Sequence, residues 1–482
     1  MVIKNEMSAA QPPHDPPLRI LITNVGIANR TGTEIAAMDL ALGLARLGHF
    51  PMIWVPQLDP AVAAPLLAAG VPVVSRFDDL PSVPDILHGQ HHLETIAALR
   101  RFPGVPAIHV CHSGYWWHDA PPRHPRIHRY VAVDEFCRER LAGTDWIDRK
   151  RIQVVWNAVD LDRHQPRPPL PQRPRRALIF SNYAGPGTHA EPVREACRQM
   201  GIEAETVGSG AGNPSAAPER LLPGYDLVFA KARCAMEAMA TGCAVILCDA
   251  DGLGTIVTSA NVRELRRWNF GFRVLRRPLS PELITEEIER YDSRDAAEVS
   301  AYIRESAGLK SAVQQYLALY RSVLDEPKPL SGGVDWHPAT IRLQIEDQAA
   351  LRLRFVTAPP SVAPRRHFTF DVALFNGSSV PVVTAAPWPC LLMYRWLDGR
   401  TREVVVEHGF RTIIQPPAWP GAESIYSMRA IAPNQPGDYI LRATIIQEGW
   451  RWLDFLAPAV SVESPVTIVS GPPVEEALHE TI

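Results

Sequence analysis

The feature that most constrains this chain lies near its start. An apolar run, Leu18-Arg-Ile-Leu-Ile-Thr23, passes through a Gly-containing loop into a stretch where Ile35, Met38, Leu42 and Ala45 share one helix face. Thr31-Gly-Thr-Glu34 has the pattern of a capping box at the start of that helix, and Gly48 fits its end. A second short strand is predicted at Met52–Val55. Strand, helix and strand joined this tightly form a βαβ unit, whose right-handed crossover implies a parallel sheet.

The alternation continues. Short strands are predicted at Asp85–Leu87, Ala107–Val110, Tyr130–Val133 and Ile152–Val155. The run from Arg163 to Pro174 is too rich in proline for a helix or a central strand, and reads as a linker. Beyond it come strand Ala177–Ser181, a helix from Thr188 to Met200, strands Glu203–Val207 and Leu227–Ala230, helix Cys234–Thr241 and strand Ala244–Cys248. The pattern changes near Leu330. From there β-rich runs dominate (Ile341–Ile345, Leu351–Val356, Phe368–Phe375, Leu391–Trp396, Tyr439–Ile446), with hairpin-type pairs at Asn376-Gly377 and Asp398-Gly399. Six of the 12 tryptophans, Trp336, Trp388, Trp396, Trp419, Trp450 and Trp452, fall in this part. The expected organisation is a disordered N-terminus (1–17), two α/β domains (18–170 and 171–328), a β-sandwich (335–470) and a loose tail (471–482).

Composition excludes several function classes. Forty-nine basic residues against 52 acidic ones leave a net charge of −3, which argues against a nucleic-acid partner. Seven cysteines without Cys-x-x-Cys spacing read as reduced thiols, not a disulfide frame or zinc site. No stretch of 18 apolar residues is present, and the first 17 residues lack a signal-peptide core. A soluble, cytoplasmic protein is expected.

Two segments carry candidate chemistry. The loop from Asn24 to Thr33 precedes a capped helix, where free N–H groups and the helix dipole favour an anion; an ordinary strand-to-helix turn is the alternative. In Lys231-Ala-Arg-Cys-Ala-Met-Glu237, a strand delivers Lys231 and Arg233 to a helix start, a plausible diphosphate cradle. Glu237, one turn in, stands where a carboxylate accepts hydrogen bonds from vicinal hydroxyls; it also fits a glutamate that simply complements the helix dipole.

Glu237-Ala-Met-Ala-Thr-Gly242-Cys-Ala-Val245 resembles the Glu-Ala-x-Ala-x-Gly-x-x-Val signature of glycosyltransferase family 4, which has the GT-B fold. Three other places agree: Thr31–Glu34 through Leu47-Gly48-His49, Tyr130-Val-Ala-Val-Asp134 with Arg140-Leu141, and Val154-Val-Trp-Asn157-Ala-Val-Asp160. The resemblance implies retaining transfer of a sugar from a nucleotide sugar to a glycan or lipid-linked acceptor, without metal or cofactor, in surface polysaccharide synthesis. By position it implies that Glu237 and Ala238 bind the donor, Glu237 at the ribose. Gly32 and Thr33 approach the phosphates or the transferred sugar, and His112 lies near that sugar. Asn157 reads as a structural hinge.

The chain departs from that pattern twice. Phe229 stands where the family has a second glutamate, and Ser181-Asn182 begins a loop where it has arginine and lysine. Only about 55 residues separate Asn182 from Glu237, so roughly one βα unit is missing from the second domain. Lys231 and Arg233 are expected to supply the phosphate charge instead; failing that, the chain is a weakened relative working through its sandwich. His88, His91 and His92 lack an acidic or cysteine partner at metal-ligand spacing. The basic-aromatic stretch Gly104–Tyr130 fits either an acceptor-side loop or a peripheral membrane contact. The C-terminal segment, with Pro436-Gly-Asp-Tyr439 and Gly449-Trp-Arg-Trp452, resembles Ig-like modules appended to polysaccharide enzymes, and its tryptophans either fill the core or stack on sugars.

Overall fold

A computed structural model describes residues 16–327, 341–407, 409–455 and 460–469. The first 15 residues, the boundary near Leu330, Trp336 and the tail beyond Val469 lie outside them.

The first sheet is all parallel. Its strands are β1 (Arg19–Thr23), β2 (Phe50–Trp54), β3 (Val73–Val74), β4 (Ile86–Gln90), β5 (Ala107–Cys111), β6 (Ile127–Ala132) and β7 (Ile152–Val154), in spatial order β3-β2-β1-β4-β5-β6-β7. Helix α1 (Gly32–Arg46) follows β1 and helix α2 (His92–Arg101) follows β4. The Thr31/Glu34 capping box forms as the sequence predicts. The apolar face of α1 is broader than the predicted one. Ala37, Ala41 and Leu44 go deepest, Met38 and Leu40 are equally buried beside them, and Ile35, Leu42 and Ala45 are half-buried. Both sides of α1 are covered, because a helix from the far end of the α/β region packs on it as well.

The second sheet contains β8 (Arg176–Phe180), β9 (Glu203–Val207), β10 (Leu227–Ala230), β11 (Ala244–Asp249) and β12 (Gly252–Ile256), in order β9-β8-β10-β11-β12. All pairs are parallel except β11 with β12. Helices α3 (Ala190–Gln199) and α4 (Ala232–Thr241) flank it. The last helix of the α/β region, α5 (Leu309–Leu324), returns to the first unit, where Val313, Tyr316, Tyr320 and Val323 join its core. A Cβ at Gly43 of α1 would come within 2.6 Å of Val313, so the two helices meet at a glycine. Two Rossmann-like units with the last helix crossing back constitute the GT-B arrangement. The proline-rich linker is not free: Arg167 bonds Thr241 O through its backbone and Asp226 through its side chain.

The C-terminal part is an antiparallel sandwich. Strands β13 (Leu351–Thr357), β14 (His367–Asn376) and β16 (Glu423–Ile431) form one sheet. Strand β15 (Cys390–Asp398) pairs with β17 (Gly437–Gln447), which pairs with β18 (Ser461–Ile468), in the other. Two expectations fail here. Ile341–Ile345 is not a strand, because Gln344 and Asp347 form a capping box that opens a short helix at Ile345–Ala349. Asn376-Gly377 closes no hairpin between consecutive strands, since β14 pairs with β13 and β16, whereas Asp398-Gly399 does lead into a pairing partner of β15 at Val404–Val406. Trp396 is fully buried, but Trp419 and Trp450 are exposed.

Candidate active site

In open α/β sheets a crevice forms where the strand order reverses, outside the carboxyl ends of the strands. Each α/β unit of this protein has one such point. In the first unit it lies between β1 and β4, whose ends lead to the Gly32 turn and to His91. In the second it lies between β8 and β10, whose ends lead to Ser181 and to Lys231. Both strand-to-helix turns hold a non-glycine residue in the left-handed region, His91 at φ 64° and Ala232 at φ 49°. Such strain persists only where the surroundings over-determine it, and it concentrates at functional sites.

On the first wall, His91 Nε2 lies 3.3 Å from Thr33 Oγ1, and its Nδ1 lies 3.5 Å from Asp119 Oδ1. Burial opposes protonation of His91, but the Asp119 carboxylate, helped by Glu94 and Glu34, outweighs it and raises the pKa. Burial would raise the pKa of Asp119, yet the His91 partner holds it well below the usual carboxylate range. Asp119 also accepts a 3.1 Å hydrogen bond from the His112 backbone N–H. The His112 ring sits 6.4 Å from that of His91, and burial pushes its pKa down to about 4, so it is neutral near pH 7. Its Nε2 is buried and has no hydrogen-bond partner among the described residues. Glu34 is occupied as a cap, accepting from Asn29 N and Thr31 N, while a Cβ at Gly32 would meet nothing within 4 Å.

On the second wall, burial pushes the Glu237 carboxyl up to about 7, against the pull of Arg233. Arg233 Nη1 is 3.5 Å from Glu237 Oε1 and 2.9 Å from Asp39 Oδ2, which belongs to α1 of the opposite unit. Arg163, from the linker, pairs with the other Asp39 oxygen at 3.1 Å. Lys231 lies 2.7 Å from Asp249 and 2.6 Å from Asp251, and these carboxylates outweigh burial and raise its pKa. Both cations predicted for a diphosphate thus already have carboxylate partners. Ser181 Oγ donates to Asp249 at 2.7 Å, and Asn182 Oδ1 accepts from Ser209 N at 3.2 Å. The loop bearing Ser209 is pressed onto Ser181: a Cβ at Gly208, with φ 154°, would stand 2.0 Å from Ser181 O, which only glycine tolerates. Ala238 and Phe229 are buried in the second unit's cores.

Sequence reasoning singled out His112, Lys231, Arg233 and Glu237 and missed Asp39, Arg163 and Asp119. A lone aspartate within the apolar pattern of α1 was the available signal for Asp39. Asn157, expected as a hinge, offers its carbonyl to Arg266 at 2.9 Å. The three clustered histidines diverge: His88 bonds Tyr320 OH at 2.7 Å, His92 bonds Ala120 O at 3.0 Å, and His91 joins Asp119. The basic residues of Gly104–Tyr130 are engaged internally, Arg126 on the carbonyls of Leu99, Phe102 and Val105, and Arg129 on Glu326. No helix among the described residues is long and apolar enough to cross a membrane.

Residues 30–163 match the family described as Glycosyltransferase Family 4. No curated protein matches the chain. Among solved structures, a glycosyltransferase from Rickettsia africae ESF-5 is similar at 13% identity and TM-score 0.46, covering 65% of this chain and 100% of that one. The pneumococcal O-GlcNAc transferase GtfA, in complex with UDP and GlcNAc, is similar at 10% identity and TM-score 0.44, covering 64% of this chain and 100% of its own. S. aureus MnaA with UDP follows at 12% identity and TM-score 0.39, with 66% and 100% covered.

Proposed function

We propose that this protein is a retaining glycosyltransferase that moves a sugar from a nucleotide-sugar donor to a glycan or lipid-linked acceptor in bacterial surface polysaccharide synthesis. The observation that supports this best is the meeting of Arg233, itself paired with Glu237, with Asp39 on α1 of the opposite unit across two facing switch points. In this reading Glu237 holds the donor ribose, and Ser181, Asn182 and the Ala238 backbone border the nucleotide. Arg233, Lys231 and the first N–H groups of α4 stabilise the charge developing on the leaving diphosphate, the work a metal does elsewhere. Donor binding then requires the diphosphate to take over cations that Asp39, Asp249 and Asp251 hold in its absence. Gly32 and Thr33 adjoin the transferred sugar, and the neutral His112 offers it a hydrogen bond.

That prior pairing of both cations favours a second reading, a catalytically weakened relative that binds glycans or acts as a scaffold through its sandwich. Thermal shift of the full chain with UDP, GDP and dTDP sugars separates the two. A transferase is stabilised by at least one donor, and Glu237→Ala abolishes that shift. No shift with any donor, together with measurable glycan binding, sinks the enzyme reading.

A further inference from the structure

The sandwich does not hang free. Trp117 of the first unit packs with Leu391, Met393 and Ile446 of the sandwich. Gln415 locks onto the same loop, accepting from Arg123 N at 2.9 Å and donating to Pro121 O at 3.0 Å. Between these contacts and the Arg429–Gly114 hydrogen bond lies a cavity of about 460 Å³, walled by both parts. That is within the roughly 300–1,000 Å³ range of small-ligand sites.

We infer that this cavity binds an acidic saccharide, one carrying a carboxylate or phosphate. Three kinds of group carry the assignment. Tyr115, Trp146 and Phe410 present flat apolar surface, suited to the C–H faces of sugar rings. Thr144, Thr369, Thr412 and Ser427 add hydroxyls for hydrogen bonding. Arg140 and Arg429 supply positive charge without an ion-pair partner among the described residues. Arg140 uses Nη1 on the carbonyls of Ser113 and Trp116, both at 2.7 Å, and Arg429 uses Nη1 on Gly114 O at 2.7 Å. Each guanidinium has five N–H donors in a planar fork that matches carboxylate and phosphate oxygens, so most of both forks remain open. The third lining arginine, Arg411, is paired with Glu448, and Asp145 is the lone lining carboxylate among the described residues.

The cavity also adjoins the candidate active site through one short loop. His112 and Asp119 face the cleft, while Gly114, Tyr115 and Trp117 line the cavity, and Tyr115 touches both Phe272 of the second unit and Phe410 of the sandwich. If the transferase reading holds, on which this step alone rests, the bound saccharide is the acidic part of the acceptor.

The test titrates the full chain by calorimetry with two pairs of probes. One pair is a hyaluronan tetrasaccharide and its carboxyl-reduced form; the other is pentamannose 6-phosphate and pentamannose. At least one acidic probe should bind about tenfold more tightly than its neutral counterpart, the value of one charge-assisted hydrogen-bonded pair. Which one does so distinguishes carboxylate from phosphate. Arg429→Gln should remove that tenfold preference, and Ser427→Trp, which fills the cavity from an exposed strand position, should abolish binding while leaving the melting temperature unchanged. Equal binding of acidic and neutral probes, binding of neither acidic probe, or binding that survives Ser427→Trp overturns the inference. The thermal shift with UDP, GDP and dTDP sugars, read on the same proteins, keeps the two readings apart. Its absence with saccharide binding intact defeats only the transferase, and the reverse defeats only this site.

Discussion

The two walls of the cleft differ in how their charges are matched. On the first wall one ion pair, His91 with Asp119, stands beside a neutral His112 whose Nε2 has no partner among the described residues. On the second wall Lys231 and Arg233 are each held by carboxylates, and Asp39 reaches over from the first unit to do part of it. The first wall therefore keeps a buried ring nitrogen open to a ligand, whereas an anion entering the second must displace carboxylates already in place. Buried charges are tolerated only when matched, so removing single partners probes each wall directly.

The largest effect is expected from Asp119→Asn. The raised pKa of His91 contributes stability that is fully present below pH 6.5 and is lost as pH rises through its folded value. The depressed pKa of Asp119 contributes stability present above pH 3.8 and lost as pH falls through its folded value. The pair therefore acts mainly across pH 4 to 6.5, where the substitution should cost about 3–5 kcal/mol in urea unfolding, the usual penalty for breaking a buried pair. Above that window the loss shrinks, because His91 can shed its proton. In NMR titration the His91 pKa should fall, since burial is then opposed only by the Glu94 and Glu34 carboxylates. A loss that does not vary with pH would mean that Asp119 matters only as the acceptor for His112 N–H.

Glu237→Gln probes the opposite wall with the opposite sign. A carboxyl whose pKa rises from 4.5 to about 7 on folding destabilises the native state progressively as pH climbs between those values. Replacing it with an amide should therefore stabilise the unliganded protein at pH 8 by about 3 kcal/mol, with little change at pH 4. The same variant should lose the nucleotide-induced thermal shift. Gain of stability with loss of binding is the signature of a strained site, and a plain structural glutamate would give neither.

What the sequence disclosed follows from the range of the interactions involved. Strands Glu203–Val207 and Leu227–Ala230 have their predicted bounds: the second is a fully buried apolar run with nearby stops, and the first is a half-exposed edge strand bounded by Gly201 and Gly208. Glu237 was legible as part of a local pattern of alanines and glycine on one helix. Asp39 and Arg163 were not, since their meeting with Arg233 joins residues from three distant segments, and only the packing of the two units brings them together. The role of the 112–121 loop was half legible. Its aromatic and basic residues stood out, but their burial under the sandwich depends on Gln415 and Arg429, some 300 residues away. Strand β16 escaped notice because its buried face, Tyr426, Met428 and Ala430, is weakly apolar while Ile425 points outward.

The smallest expected effect is also the sharpest test of the contrast between the walls. Asp39→Asn removes the carboxylate that spans from α1 to Arg233 and Arg163 while keeping nearly the same shape. Two consequences follow from one change. Asp39 raises the Glu237 pKa, so its neutralisation should lower that pKa from about 7, readable by 13C NMR of the side-chain carboxyl. Arg233 and Arg163, relieved of their partner, should hold a diphosphate more firmly, by about 1 kcal/mol or roughly fivefold in UDP affinity. If Asp39 instead only fixes Arg233 in position, UDP affinity should fall in the variant while the Glu237 shift remains. The joint outcome decides whether the second wall is held closed by its own carboxylate or merely organised by it.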